Sequence, residues 1–263
     1  MKIKTTVKVM NFHSLLHIDS ARRQTEKYIR MESEVSKIID LIVNNRNFIL
    51  DKHVLRVNEF APELNIYIGS DLSFCGALNS QVNSIMMDDE DADKIIVGRK
   101  LRSFGAPNVI LRMTKEEFDE QYDLVERELE KSVHGLLHSS INVIYNHYYY
   151  AGRISIRKKK IFPVPLTGES SGYTEDFAVE GDVDRLLRSL VSTYCGYEVK
   201  IASINSFASE NVMRQNATTE SLKKIDEIMA ENLRVERKEK RQKAFGKVLE
   251  GYVKKSVYGG ENP

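Results

Sequence analysis

The glycines and prolines of this chain are concentrated in its middle. Pro62 is the first proline and Gly69 the first glycine, and neither residue type occurs between Tyr197 and Phe245. Residues 62–196 hold ten of the fourteen glycines and four of the five prolines. Because these residues are the strongest local breakers of helices, each end of the chain can form one long helix. We therefore expect two helical arms that flank a turn-rich globular part.

Both arms carry apolar residues at the spacing that helix pairing requires. A spacing that alternates between three and four is the apolar seam of a two-stranded coiled coil. A seam this long without caps favours a coiled coil over an ordinary amphipathic helix packed on a globular body. We expect the arms to pair with each other within the chain. The predicted seam residues are Tyr28, Met31, Val35, Ile38 and Ile42, then Leu222, Ile225, Met229 and Leu233, and finally Phe245, Leu249 and Tyr252.

The middle of the chain alternates between short apolar runs and helical segments. Strands that are separated by helices imply right-handed crossovers and a mainly parallel sheet. The predicted strands are 64–69, 94–98, 108–113, 141–149 and 160–166, and the predicted helices are 77–87, 99–104 and 115–137.

Three segments follow from this pattern, with a coiled-coil helix at 1–58, an α/β domain at 59–180 and a coiled-coil helix with a polar tail at 181–263. The last predicted strand is closed by Pro163 and Pro165, which suits an edge strand. Asp182 is placed to cap the second long helix.

Composition excludes several classes of protein. The net charge of +1 gives no overall attraction to nucleic acid or membrane, although residues 234–255 hold nine Lys or Arg against three Glu. No apolar run approaches the length of a membrane span, and there is no signal-peptide pattern. Cys75 and Cys195 are too few for a disulfide framework. We expect a cytoplasmic protein in a reducing compartment.

The loop at residues 69–79 follows the first predicted strand, where an open α/β sheet would bind a ligand. It contains neither GxGxxG nor GxxxxGK[ST], the patterns whose backbone and lysine cradle phosphates. Cys75 is placed where a helix N-terminus would lower a thiol pKa, but the sequence names no base to activate it. We interpret Cys75 as a buried structural thiol. We expect no catalytic residue and no cofactor.

Two histidine pairs, His13 with His17 and His134 with His138, each lie four residues apart and so on one helical face. A metal site needs a third ligand, and neither pair is followed by the glutamate of the metalloprotease motif. We therefore expect no metal. The basic run 157–160 follows several tyrosines, a combination found in nucleic-acid interfaces, but its strand position favours a solvated edge.

The loop at 69–79 resembles the S-D-R-G-L-C-G-G-L-N signature of the γ subunit of rotary F-type ATP synthases. Leu72, Ser73 and Ala77 depart from that signature. The residues that match it are Ser70, Asp71, Cys75, Gly76, Leu78 and Asn79.

A second resemblance to the same family lies in the C-terminal arm. Residues 207–210 with Arg214 are similar to the family's A-S-E-x-x-A-R stretch, and Arg241 with Gln242 is similar to the R-Q near its end. Residues 145–146 resemble the family's Y-N after a strand, and the prolines at 163 and 165 resemble its L-P-L-P turn. The similarity spans nearly the whole chain in order.

The resemblance implies an antiparallel coiled coil of the two terminal helices beside a Rossmann-like α/β domain. In γ subunits this coiled coil is inserted in a ring of three α and three β subunits, and one copy is present per complex. The α/β domain lies near the ε subunit and the membrane c-ring, so the protein is peripheral on the cytoplasmic face. The family also implies a non-catalytic subunit, whose coupling candidates here are Ser209, Glu210, Arg214, Arg241 and Gln242.

Two alternatives from other classes remain at this stage. One is a Rossmann-like enzyme that uses the loop at 69–79 and dimerises through its arms. The other is a coiled-coil module that binds nucleic acid through the run 157–160 and the C-terminal cations. The γ-type interpretation predicts no nucleic-acid partner.

Overall fold

The computed structural model describes residues 2–44, 57–75, 78–102, 105–149, 153–165 and 181–258. Residues 1–11 and 216–263 belong to one compact unit and residues 12–215 to a second, larger one. The elements in chain order are α1 (Lys2–Asn44), β1 (Glu63–Ile68), α2 (Leu78–Asp88), β2 (Asp93–Val97), β3 (Val109–Met113), α3 (Lys115–Glu120), α4 (Tyr122–Gly135), β4 (Ser140–Tyr148), β5 (Ile154–Phe162) and α5 (Val183–Tyr258).

The two long helices form where the sequence lacks proline, although α5 includes Gly196, Gly246 and Gly251. α1 has 43 residues and α5 has 76. The predicted cap of α5 is confirmed, because the Asp182 carboxylate accepts hydrogen bonds from the backbone N–H groups of Asp184 and Arg185. Those N–H groups have no partner inside the helix, so the carboxylate fixes its starting point. No helix in the described part of the chain is both long and apolar enough to cross a membrane.

The two helices pair in antiparallel fashion within each unit. In the smaller unit, Lys4 forms an ion pair with Asp226, and the Asn11 amide donates to the Thr218 hydroxyl at 2.9 Å. In the larger unit, the His17 ring lies 5.3 Å from the Phe207 ring, and the Tyr28 ring lies 6.1 Å from the Tyr197 ring. Residue numbers fall along α5 as they rise along α1, which confirms the predicted antiparallel pairing.

The five strands form one sheet in the order β3-β2-β1-β4-β5. The first four are parallel to their neighbours, and β5 runs antiparallel to β4 at the edge. This confirms the predicted α/β class with a mainly parallel sheet.

Side chains of the central strands alternate between the two faces of the sheet, because a strand has a period of two. On one face, Ile66 and Ile68 pack in a large core with Ile39 and Ile42 of α1 and with buried residues of α4 and α5. On the other face, Tyr67, Ile96 and Ile144 pack against Val82 and Met86 of α2. α1 and α5 thus serve both as a helical pair and as cover for the sheet.

Three secondary-structure predictions were wrong. Residues 99–102 form a turn rather than the start of a helix, and the rest of the predicted helix, 103–104, lies outside the described residues. The helix predicted at 115–137 is broken into α3 and α4 at Gln121, because Gln121 leaves the helical conformation with a φ of −119° and a ψ of 38°. The last strand is 154–162 rather than 160–166, since it pairs with β4 along its whole length.

One position within the predicted seam of α1 was also placed one residue off. Ile38 is 44% exposed, whereas its neighbour Ile39 is fully buried. Both positions fit the apolar spacing. This turn of α1 faces the sheet as well as α5, and Ile39 is the residue that packs in the core with the strands. The seam residues Met229, Leu233, Phe245, Leu249 and Tyr252 of α5 are exposed.

The two neighbouring isoleucines allow a matched test. Ile39→Ala should lower the free energy of unfolding by about 2–5 kcal/mol, because it leaves a cavity in the core. The same change at Ile38 should cost less than about 1 kcal/mol, since its side chain already contacts water. Chemical denaturation of both variants measures the difference, and equal losses would contradict the assignment of Ile39 to the core.

Candidate functional site

The loop after β1 begins with a close approach of two backbones. Gly69 follows β1, and a Cβ atom there would lie 2.5 Å from the Leu101 side chain and 2.9 Å from the Asn79 amide oxygen. Gly98 follows the neighbouring strand β2 with a φ of +124°, a conformation that favours glycine. The two glycines let the carboxyl ends of β1 and β2 lie against each other. The loop therefore leaves the sheet at a fixed point.

Hydrogen bonds to its first residues then hold the loop in place. The backbone N–H of Ser70 donates to the Asn79 amide oxygen at 3.0 Å, and the Asn79 amide donates back to the Ser70 hydroxyl at 2.7 Å. The Asp71 carboxylate accepts from the backbone N–H of Arg99 at 2.6 Å and from that of Lys115 at 3.1 Å. Asp71 thus joins the loop to the turn after β2 and to the start of α3.

The far side of the loop is attached to α5. Glu210 Oε1 accepts a hydrogen bond from the backbone N–H of Leu72 at 2.9 Å and lies 3.7 Å from the Cys75 sulfur. Ser209, the residue before it, donates to the backbone carbonyl of Asn146 in β4 at 2.9 Å. Ser209 and Glu210 are both buried. We call this contact between residues 70–75, α3 and α5 the loop–helix junction.

Lys115 places a cation inside the loop–helix junction. Its ammonium is buried, lies 4.1 Å from the centre of the Phe207 ring, and has no hydrogen-bond partner within the described structure. Burial lowers the pKa of Lys115 to about 8, although the nearby carboxylates of Glu210, Asp119 and Asp71 oppose that shift. Burial raises the pKa of Glu210, and the charge of Lys115 opposes this rise. The two buried charges therefore depend on each other.

The Cys75 thiol is unsuited to nucleophilic chemistry in this position. Burial, together with the adjacent Glu210 carboxylate, raises its pKa to about 11. A thiol of that pKa remains protonated near pH 7, and the thiolate is the reactive form. Arg214 acts in the opposite direction on the same thiol, which places its guanidinium near the loop.

One histidine of each pair contacts other side chains of the larger unit. His138 contacts the Ser132 hydroxyl at 3.0 Å and the Asp93 carboxylate at 3.1 Å. His17 packs on Phe207. Among the residues that the structure describes, no three His, Cys, Asp or Glu side chains are grouped as a metal site requires.

The basic run in β5 forms ion pairs with neighbouring acidic side chains. Lys158 lies 3.2 Å from the Glu63 carboxylate, and Lys159 pairs with buried Glu198. This arrangement agrees with the edge position of β5.

The structure brings together two groups of residues that the sequence singled out separately. Ser70, Asp71, Cys75 and Asn79 come from the loop, and they meet the stretch of α5 that holds Ser209, Glu210 and Arg214. The backbone carbonyl of Leu78 accepts a weaker bond from Asn146 at 3.5 Å, whereas Gly76 lies outside the described residues. Arg241 and Gln242 are exposed positions of α5 in the smaller unit.

Sequence reasoning missed Lys115, since a lysine in the first turn of a helix is usually solvated. Only its position directly after β3, at the carboxyl edge of the sheet, connects it to the loop.

Comparisons with known proteins show the family to which the chain belongs. A family model described as ATP synthase matches residues 1–247. The chain belongs to this family. The resemblance to γ subunits that the sequence predicted is thereby confirmed.

Two relatives carry the name ATP synthase γ chain. The protein from Clostridium perfringens (strain SM101 / Type A) is 22% identical over 245 residues, which cover 86% of this chain and 84% of the relative. The protein from Clostridium beijerinckii is 24% identical over 243 residues, with the same shares covered.

Among solved structures, a chain of the central stalk/c-ring structure of the Tetrahymena thermophila mitochondrial ATP synthase is similar, with a TM-score of 0.55 and 18% identity. The match covers 82% of this chain and 99% of that chain. This likeness shows a shared fold.

The loop–helix junction predicts a large effect for Glu210→Ala. Removing the carboxylate leaves the Leu72 N–H without its acceptor and removes the carboxylate with the largest effect on the Lys115 charge, so the free energy of unfolding should fall by about 3 kcal/mol. Glu220→Ala is a matched control, because Glu220 is an exposed glutamate of the same helix that pairs with Lys224 at the surface. Thermal and denaturant melts of both variants check this, and a parent-like melt of Glu210→Ala would contradict it.

Proposed function

We propose that this chain is the rotating shaft of an F-type ATP synthase or ATPase, present once per complex and without an active site of its own. Its partners would be a ring of three α and three β subunits around the helical pair, an ε-type subunit beside the sheet, and a membrane c-ring. In this role the chain transmits rotation, and it biases the nucleotide affinities of the ring sites in turn through differential contact.

The observation that carries the proposal is the length of α5 in a chain that belongs to the ATP synthase family. Within the smaller unit, α5 continues from residue 216 to Tyr258, and at about 1.5 Å per residue this part extends over roughly 65 Å. Within its unit, the final part of this helix presents exposed apolar side chains beside the basic cluster of residues 234–255. Such a surface is suited to rotation inside a ring that offers apolar walls and acidic loops.

The loop–helix junction supports a role in coupling the chain to an ε-type subunit or a c-ring. Ser209 and Glu210 are buried, so we propose that they act on coupling indirectly, by fixing the loop. The loop exposes Leu72 and Phe74, of which Phe74 is 63% accessible and holds a positive φ of 68°. An apolar surface held in a fixed position is what contact with an ε-type subunit or a c-ring requires.

The family context also suggests where the protein acts. We propose that it is held at the cytoplasmic face of the membrane through its complex, with Arg241 and Gln242 among the residues that face the ring. Because the loop at 69–79 lacks the patterns that cradle phosphates, nucleotide turnover would belong to the α and β partners.

The test is recovery of the complex from native membranes through an affinity tag on this chain. The chain alone should show no ATPase activity, whereas the recovered complex should contain α- and β-type subunits and hydrolyse ATP. A variant truncated before residue 234 should recover less of both partners, because it lacks the apolar and basic segment. Replacing the surface pair Glu220 and Lys224 by alanine is the control, and it should leave recovery unchanged.

Failure to recover any α- or β-type partner, under conditions that keep other membrane ATPases intact, would overturn the proposed function.

A further inference from the structure

The ammonium of Lys115 occupies an unusual position, because it is buried without a hydrogen bond. A buried amine is normally paired or hydrogen-bonded, since the loss of hydration costs several kcal/mol. Lys115 instead lies over the Phe207 ring, with carboxylates near it but none in hydrogen-bonding contact among the described residues. A closed junction therefore disfavours the charged form of this side chain.

The same side chain is tied to the loop through its own backbone. The N–H of Lys115 donates to Asp71, and Asp71 begins the segment that Glu210 holds against α5. Opening the loop would expose the Lys115 amine to water. The proton on Lys115 and the position of the loop are therefore linked.

We propose that the loop–helix junction is a proton-sensitive latch, in which protonation of Lys115 loosens the contact between residues 70–75 and α5 and deprotonation tightens it. No part of this inference depends on the proposed function, since the latch lies within one chain.

Linkage fixes the direction of the effect. In the closed junction the pKa of Lys115 is about 8, below its ordinary value of 10.5. The open state, in which the amine is hydrated, thus binds the proton more tightly than the closed state. Raising the pH favours the state that holds fewer protons, which is the closed one. The stabilisation of the closed state relative to the open state develops as the pH rises from about 8.

Other charged groups around the latch determine the pH range in which its effect can be observed. Asp119 lies on α3 with Lys115, Asp71 and Cys75 lie on the loop, Glu210 and Arg214 lie on α5, and His17 of α1 packs on Phe207. Burial raises the pKa of Cys75 from 9.0 to about 11, so titration of this thiol would favour opening above pH 9. The latch should therefore be examined between pH 7 and pH 9.

Hydrogen exchange of the 263-residue chain measures the latch directly. Amides of residues 70–75 report opening of the loop, and amides of β4 report global unfolding. After correction for the intrinsic exchange rate, protection of the loop amides should rise about tenfold between pH 7 and pH 9, as follows from one proton with pKa values of about 8 and about 10.5 in the two states. Protection of β4 should change much less.

Three variants and one control distinguish the latch from a merely structural contact. Lys115→Met removes the titrating group, and Lys115→Arg keeps a charge throughout this window, so both should lose the tenfold rise. Glu210→Gln retains an acceptor for Leu72 but removes the carboxylate with the largest effect on the Lys115 charge, so the rise should begin at a lower pH. Lys131→Met, which removes an exposed lysine of α4, should behave like the parent.

Two outcomes would overturn the latch. One is loop protection in the parent that stays flat or falls between pH 7 and pH 9. The other is a tenfold rise that persists in Lys115→Met. If that variant fails to fold by circular dichroism, Lys115→Arg decides the same question, and a parent-like rise there is equally contrary.

Discussion

The hydrogen bond from the Leu72 backbone to the Glu210 carboxylate joins the two parts of the fold that sequence treats as separate. One part is the loop at the carboxyl end of β1, and the other is the long helix α5. The bond lies in a buried site, where burial raises the pKa of Glu210 and the nearby charge of Lys115 opposes that rise. The position of the loop on α5 therefore depends on electrostatics inside the core.

This arrangement suits a part that transmits force. A sheet covered by α1, α4 and α5 forms one continuous core, so the loop is mounted on a body that packs as a unit. Ser209 adds a second attachment of α5 to β4 through the Asn146 carbonyl. Rotation applied to α5 would reach the loop through these short, buried contacts rather than through flexible side chains at the surface.

Much of the fold was predictable because backbone breakers and apolar periodicity act locally. The absence of Gly and Pro indicated both long helices, although α5 continues past Gly196 and Gly246 at the two ends of its glycine-free stretch. Alternating apolar runs indicated four parallel strands. The errors arose where tertiary contacts decide between equal local choices. Ile38 and Ile39 both fit the seam, and only contact with the sheet selects Ile39. The helix breaks at Gln121, where φ is −119° and ψ is 38°, whereas the capping box of Thr114 and Glu117 at its start would fit a longer helix equally well.

The site was less predictable, since its residues are distant in sequence. Resemblance to a family singled out the loop and the Ser209–Glu210 stretch, yet it did not indicate that they meet. Lys115 left no signal, because burial of its amine depends on Phe207 and on the loop together. A pKa set by surroundings of this kind can be read only from the assembled structure.

Observation of rotation tests the central claim most directly. A complex of this chain with its own α- and β-type subunits would be fixed to a surface through the ring, and a bead would be attached to the chain at an exposed residue of the sheet domain. The account predicts stepwise rotation of the bead in one direction while ATP is hydrolysed. A complex that hydrolyses ATP with the chain bound while the bead remains stationary would contradict it.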